Sequence, residues 1–346
     1  MKDIFTQFID ELAKESGQYA LCEAVKQGYK VRCEAIKASK DISVEDVQQM
    51  LDDGVDLSDY MEDDSEDEDY RRIFINNKIN FVRDGKLLSK QWFDSTPYHI
   101  GEATTVKLNG KENLMDNDGN LLSEQWFDKV WSLDEYGIAK VKLNDKYNLL
   151  ARDGKLLSNQ WFDSVWNFDK YGHAKVKLNG KENLIDTNGN LLSEQWFGEV
   201  EDFKNGFAKV RLNGKENLID TNGNLLSDQW FDSIFNYFVG GFAIVGLNRK
   251  DNFIDTNGNL LSDQWFDRVW DFNEYGIAEV RSKHNSGYDI YNFIDTKGNL
   301  VFNKWFDLVG GFYKGVAKVI IDGNKERFID TKGNINVVNP LRYTDV

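Results

Sequence analysis

The pair Trp-Phe begins at residues 92, 126, 161, 196, 230, 265 and 305, in steps of 34, 35, 35, 34, 35 and 40. The glycines Gly85, Gly119, Gly154, Gly189, Gly223, Gly258, Gly298 and Gly333 keep the same steps and add an eighth. The single long step coincides with an insertion around residues 282–289. A fixed period of this size marks a repeat architecture, in which each unit must satisfy the same neighbour geometry. The stretches "KENLIDTNGNLLSEQWF" at 181–197 and "KENLIDTNGNLLSDQWF" at 215–231 are almost the same text. Stacking requires core and turn residues to recur. It does not by itself require the Lys, Glu and Asn, which read as exposed.

The unit over 172–206 contains no helical pattern. "HAKVKLN" alternates, with Ala174, Val176 and Leu178 on one side and Lys175 and Lys177 on the other, as a half-buried strand does. Asn179-Gly180 is the preferred pair for a two-residue hairpin turn, because both positions need positive φ. "ENLID" reads as the returning strand, "TNGN" as a second turn, "LLS" as a short third strand and "WFGEVEDF" as a fourth. The expected fold is an all-β array of about eight units of roughly 35 residues. It is expected to be an elongated stack of β-hairpins, with a closed β-propeller as the alternative. Four-strand units do close into propellers, but these units are shorter than the ~40–45 residues of familiar blades.

Counted from the first Trp, the fourth following position is Thr96, Val130, Val165, Val200, Ile234, Val269 and Val309. The period of two places it with the Trp on a core face. The fifth is Pro97, Trp131, Trp166, Glu201, Phe235, Trp270 and Gly310. A position that accepts Pro, Glu and Gly is not an obligate core site. Trp131, Trp166 and Trp270 are therefore the expected exposed aromatics and the candidate ligand-binding residues.

Composition shifts sharply near residue 70. Residues 1–69 hold 20 Asp and Glu against 7 Lys and Arg, whereas 70–346 hold 38 against 35. Of 47 aromatic residues, 42 lie after residue 69. Three domains are expected: a helical module over 1–51, an acidic flexible linker over 52–69 and the β-array over 70–346. The module's helices are read at 2–15, 18–38 and after Ser43. The linker has eleven acidic residues and no basic one, a density that resists packing.

The net charge of −16 argues against nucleic-acid and anionic-membrane partners, which need a basic face. No apolar run approaches the ~20 residues that span a bilayer, and the N-terminus lacks a signal-like apolar core. Cys22 and Cys33 form no disulfide framework, which fits a reducing compartment. A cytoplasmic location, or a virion if phage-encoded, is expected.

Chemistry-bearing motifs are sparse. Asp220, Asn222 and Asn224 have the alternate spacing that opens a calcium loop, but no acidic residue closes it, and Asn-Gly beside Asp is ordinary turn chemistry. His99, His173 and His284 do not recur between units. Asp94, Asp128, Asp163, Asp232, Asp267 and Asp307 follow the Trp by two and are expected to bond nearby backbone N–H groups at a bend. No catalytic residue, metal site or cofactor is expected.

The repeat resembles the WG-repeat family of bacterial and phage-associated β-rich arrays. Ala208-Lys209-Val210, Gly214-Lys215, Leu218-Ile219-Asp220, Gly223 and Phe231-Asp232 fill the slots of that family's unit. The family's Trp-Gly pair is replaced here by Glu-Asn, at Glu182-Asn183 and Glu216-Asn217. The resemblance covers about 70–346 and implies a non-enzymatic array for protein interaction or a structural role. A carbohydrate-binding array that uses the exposed Trp residues is the competing reading.

Overall fold

The computed structural model describes residues 44–52, 57, 60–63, 71–75, 77–96 and 103–337. The helices expected at 2–15 and 18–38 lie outside these residues, as do Pro97 and most of 52–69. By its internal contacts the chain divides into two compact units, residues 1–166 with 187–190 and residues 167–186 with 191–346.

The hairpin is the recurring device. Phe207–Leu212 pairs antiparallel with Lys215–Asp220 in the register Phe207↔Asp220 to Leu212↔Lys215. The turn between them is Asn213-Gly214, with φ of 51° and 78°. Two successive positive φ values match the right-handed twist of the flanking strands. A short third strand precedes each hairpin: Glu199–Val200 pairs with Arg211 and Val210, and Ser233–Ile234 pairs with Gly246 and Val245. The strand expected to close one unit thus opens the sheet of the next. The expected third strand is reduced to a single bridge, such as Ile219↔Leu225. The fold is an all-β repeat array of antiparallel hairpins.

Alternation holds on the outgoing strand, where Ala208 and Val210 are fully buried. It fails on the returning one, where Glu216, Asn217, Leu218 and Ile219 are all buried. Both faces of that strand are covered. Ile219 packs with Leu184, Phe197, Val200, Ala208 and Val210. Its neighbour Leu218 packs with Phe231, Ile234, Ala243, Val245 and Ile254. One strand supplies two successive cores, so a single unit cannot bury its own apolar surface.

Trp and Phe divide in the same way, which corrects the expected core assignment. Phe93, Phe127, Phe162, Phe197, Phe231, Phe266 and Phe306 are at most 1% exposed. The preceding Trp residues are only part-buried. Trp230 lies on the earlier core, 6.4 Å from Phe197, while Phe231 joins Ile234 in the later one. Trp161 stands 6.5 Å from Phe127 in the same relation. The chain bends at the intervening Asp, so a strict period of two does not carry from the Trp to the aliphatic residue four positions on.

The repeating glycine closes the seam. At Gly223 φ is +87°, and a Cβ would lie 1.8 Å from the carbonyl oxygen of Leu192. Gly258 meets Leu226 and Gly154 meets Leu122 in the same way, at 1.9 and 1.7 Å. Backbone curvature and close approach both exclude a side chain there.

Helix α1, Val44–Asp52, packs at the start of the array. Its Val47 and Met50 share a core with Leu57, Ile73, Ile75 and Val82. Gln48 Oε1 accepts the N–H of Leu87 at 2.7 Å. Met61–Asp63 forms an edge strand on Arg71–Ile75, and Leu57 is 2% exposed. The stretch expected to be a flexible linker therefore carries an ordered portion. Its few apolar residues, Leu57, Tyr60 and Met61, find a core there. The first hairpin has no preceding unit, and this segment covers the face that a neighbour would cover.

Candidate interaction surface

The repeated Lys, Glu and Asn, which read as exposed, are each used inside the fold. Asn217 is fully buried. Its Nδ2 donates to the carbonyls of Ser227 at 2.7 Å and Gln229 at 3.3 Å, and its Oδ1 accepts the N–H of Leu218 at 2.8 Å. Asn80, Asn113, Asn148, Asn183, Asn252 and Asn292 repeat this arrangement. Glu216 Oε2 accepts the N–H of Ile234 at 2.7 Å, and Glu112 and Glu182 do the same for Val130 and Val200. Lys215 Nζ pairs with Asp232, whose second oxygen accepts the N–H of Asn248 at 2.6 Å in the next hairpin turn. Asp94, Asp128 and Asp267 make the same two contacts. Lys111 and the Asn144 N–H hold the Asp128 carboxyl below its ordinary range, and Lys215 and the Asn248 N–H do so for Asp232. Ser227 Oγ accepts the N–H of Gln229 at 3.1 Å and fixes the turn that presents both carbonyls to Asn217.

The other repeated polar groups are also occupied. Asp220 Oδ1 accepts the N–H groups of Asn222 and Asn224 at 2.9 and 2.8 Å, and its Oδ2 accepts Asn224 Nδ2 at 3.1 Å. These oxygens form a turn rather than face an ion. Among the described residues no three His, Cys, Asp or Glu side chains are grouped as a metal would need. Lys175 and Lys209 donate to the carbonyls of Val200 at 2.9 Å and Ile234 at 2.8 Å. They tie one hairpin to the next short strand. His173 is buried, 5.3 Å from the Phe203 ring.

The outward side chains include members of the row that varies between copies, alongside Tyr136, Tyr275, Tyr288 and Tyr313. Trp166 is 42% exposed and Trp270 is 40%. Phe235, which occupies the same position but was not singled out from the sequence, is 50% exposed. Trp131 is part-buried, with Lys129 and Lys140 Nζ each 4.8 Å from its ring and Tyr147 6.1 Å away. Burial and the Lys129 charge lower the Lys140 pKa. The Arg268 guanidinium lies 5.4 Å from the Phe235 ring. Trp166 lies within the strand Ser164–Phe168, whereas the other three rings follow a two-residue strand and are fixed by their own N–H: Trp131 to Lys140 O, Phe235 to Ile244 O and Trp270 to Glu279 O. Burial raises the carboxyl pKa of Glu279. Where this row carries Glu201, the Tyr237 hydroxyl donates to it at 3.0 Å, and burial followed by the Glu201 charge pushes the phenol pKa up. Trp131 and Trp166 belong to one compact unit, and Phe235 and Trp270 to the other. Among these rings, Trp131 and Phe235 have a cation near the ring face.

A family model described as "WG containing repeat" matches residues 114–147, 184–215 and 293–324, so three of the repeats are of the WG type. No curated protein matches the chain. Solved structures with some likeness include Hsv2 of Kluyveromyces lactis, at 10% identity over 66% of this chain and 89% of that one, with a TM-score of 0.25. A eukaryotic initiation factor matches at 9% identity over 77% and 84%, with a TM-score of 0.30. Scores this low carry no inference about shape or function.

Proposed function

We propose that this WG-repeat chain is a non-enzymatic scaffold that docks a protein partner through the variable aromatic row. One observation carries the reading: the side chains that recur are spent on the fold, whereas the position free to vary holds outward Trp166, Phe235 and Trp270 and the part-buried Trp131. Outward aromatic rings backed by Lys or Arg favour a partner surface with carboxylates around an apolar centre. Lys129 and Lys140 crowd the Trp131 ring, so a sugar would have to displace them in order to stack there.

The test is affinity capture from native lysate with the intact chain and with Trp131→Ala/Trp166→Ala/Trp270→Ala. Loss of a saturable, competable protein partner from the triple variant, with its unfolding midpoint nearly unchanged, supports the proposal. A partner retained at full strength refutes it. A hit on a glycan array that also quenches tryptophan fluorescence would replace the protein partner with a carbohydrate.

A further inference from the structure

The aromatic packing between successive hairpins is uneven. Around the hairpin 242–255, the rings of Phe242, Phe253 and Phe272 form a closed cluster. Phe242 and Phe253 lie 5.0 and 4.7 Å from Phe272 and 6.4 Å from each other. The positions equivalent to these three can be read from the repeat. Ala103 opens Ala103–Leu108 as Phe242 opens Phe242–Leu247. Leu114 is fourth in Lys111–Asp116 as Phe253 is fourth in Lys250–Asp255. Leu133 follows Trp126 by seven residues as Phe272 follows Trp265. Ala103 and Leu133 thus replace two phenylalanines, whereas Leu at the third position is shared with Leu149, Leu184 and Leu218 of other copies. In the hairpin before Phe242 the pair Phe207 and Phe238 fills the matching space at 4.8 Å.

The lost rings leave an opening of about 430 Å³. Ala103, Leu122 and Leu133 line its apolar side and belong to the core that also holds the fully buried Leu114 and Phe127. Its lining also carries Asp116, Asp118, Asp153 and Arg152, with the Arg83 guanidinium bonded to Asn117 and Asp118 beside them. Arg152 and Asp153 stand where 187–188, 221–222 and 256–257 read Thr-Asn. Truncated side chains below and new charge above therefore coincide in one copy. Asp118 also pairs with Arg83 at 3.1 Å and Asp153 with Lys155 at 2.8 Å. The Asp118 and Asp153 side chains are 76% and 55% exposed, so these pairs are weakly held and open to exchange.

We propose that this opening is a binding site for a small molecule that combines an aromatic ring with a cationic amine. The ring restores the packing that phenylalanine supplies elsewhere in the array. The ammonium group meets Asp118 and Asp153 at the rim. Pockets of this kind combine an apolar body with a few convergent polar groups. The site does not use the outward aromatic row, so it stands or falls separately from the scaffold reading.

Tyramine is the probe, titrated into the full chain and followed by methyl chemical shifts of Leu122 and Leu133. Phenylacetate is the oppositely charged control. Saturable binding of tyramine is expected, with phenylacetate roughly tenfold weaker or worse. Filling the space in Ala103→Phe/Leu133→Phe abolishes binding. Leu133→Phe, a single change, gives the same result if the double variant does not fold. Asp118→Asn/Asp153→Asn weakens tyramine roughly tenfold while leaving phenylacetate no weaker. Absence of saturable tyramine binding up to about 10 mM overturns the proposal. So does undiminished binding in Leu133→Phe, or equal affinity for the two probes.

Discussion

The returning strand of each hairpin and the outer edge of its short strand lie a few residues apart and have opposite histories of variation. Along the returning strand, 215–220 repeats 181–186 letter for letter. Along the edge, the position after the short strand is Trp131, Glu201, Phe235 or Trp270. The first is buried on both faces and serves two cores at once, so any change is felt in two places. The second makes its backbone bond whatever side chain it carries. Near-identity of these strands therefore follows from geometry, and the edge position accepts residues as unlike as Trp, Glu and Phe because geometry leaves it open.

That contrast can be broken by substitution. The largest expected effect is Phe231→Ala, which empties a fully buried ring site and costs about 3–5 kcal/mol in urea or thermal unfolding. A loss below about 1 kcal/mol would mean that the core can do without its recurring ring. Gly258→Ala comes next. Its φ of +84° and the 1.9 Å approach to Leu226 O require the seam to open, at about 2–4 kcal/mol. A neutral outcome would show that successive units are not held in close backbone contact.

Two smaller effects sharpen the comparison. His173 takes the place held by Phe207 and Phe242 in other copies, and its Nδ1 is buried without a hydrogen bond. His173→Phe should stabilise the chain by about 1 kcal/mol, read as a rise in the thermal midpoint. A fall would mean that the imidazole is tied in as the repeated Asn is. Asp232 is held below its ordinary pKa by Lys215 and the Asn248 N–H. A carboxylate of lowered pKa contributes stability above its unfolded value, about 3.9, and loses it as the pH falls through the folded value. Acid titration should therefore destabilise the wild-type chain more steeply below about pH 4 than Asp232→Asn. Parallel curves would show that the Lys215–Asp232 clamp does not contribute.

Much of this was legible in the sequence. The period, the Asn-Gly turns, the glycine at the second turn and the outward Trp166 and Trp270 all follow from local rules that act on one or two residues. The buried Asn was missed because it shows polarity on a strand, which reads as exposure. Its signal was the company it keeps. Asn217 and its equivalents precede a Ser-x-Gln-Trp-Phe or related run, and the last copy, which has no such run, carries Arg327 instead. Trp was taken for the core residue and Phe overlooked because the strand period was extended across a bend. The gap at Ala103 and Leu133 was visible only as small residues in columns that elsewhere hold aromatics, and a cavity needs neighbours in space to be recognised.

The central claim is that recurring polar residues hold the fold while the varying aromatic row does not. Urea unfolding of Asn217→Ala beside Trp270→Ala tests it most directly. Asn217→Ala removes the partner of two part-buried carbonyls and one buried N–H, and should lower stability by about 2–3 kcal/mol. Trp270→Ala, at a site 40% exposed, should lower it by less than about 1 kcal/mol. Equal losses at the two positions, or the reverse order, would contradict the account.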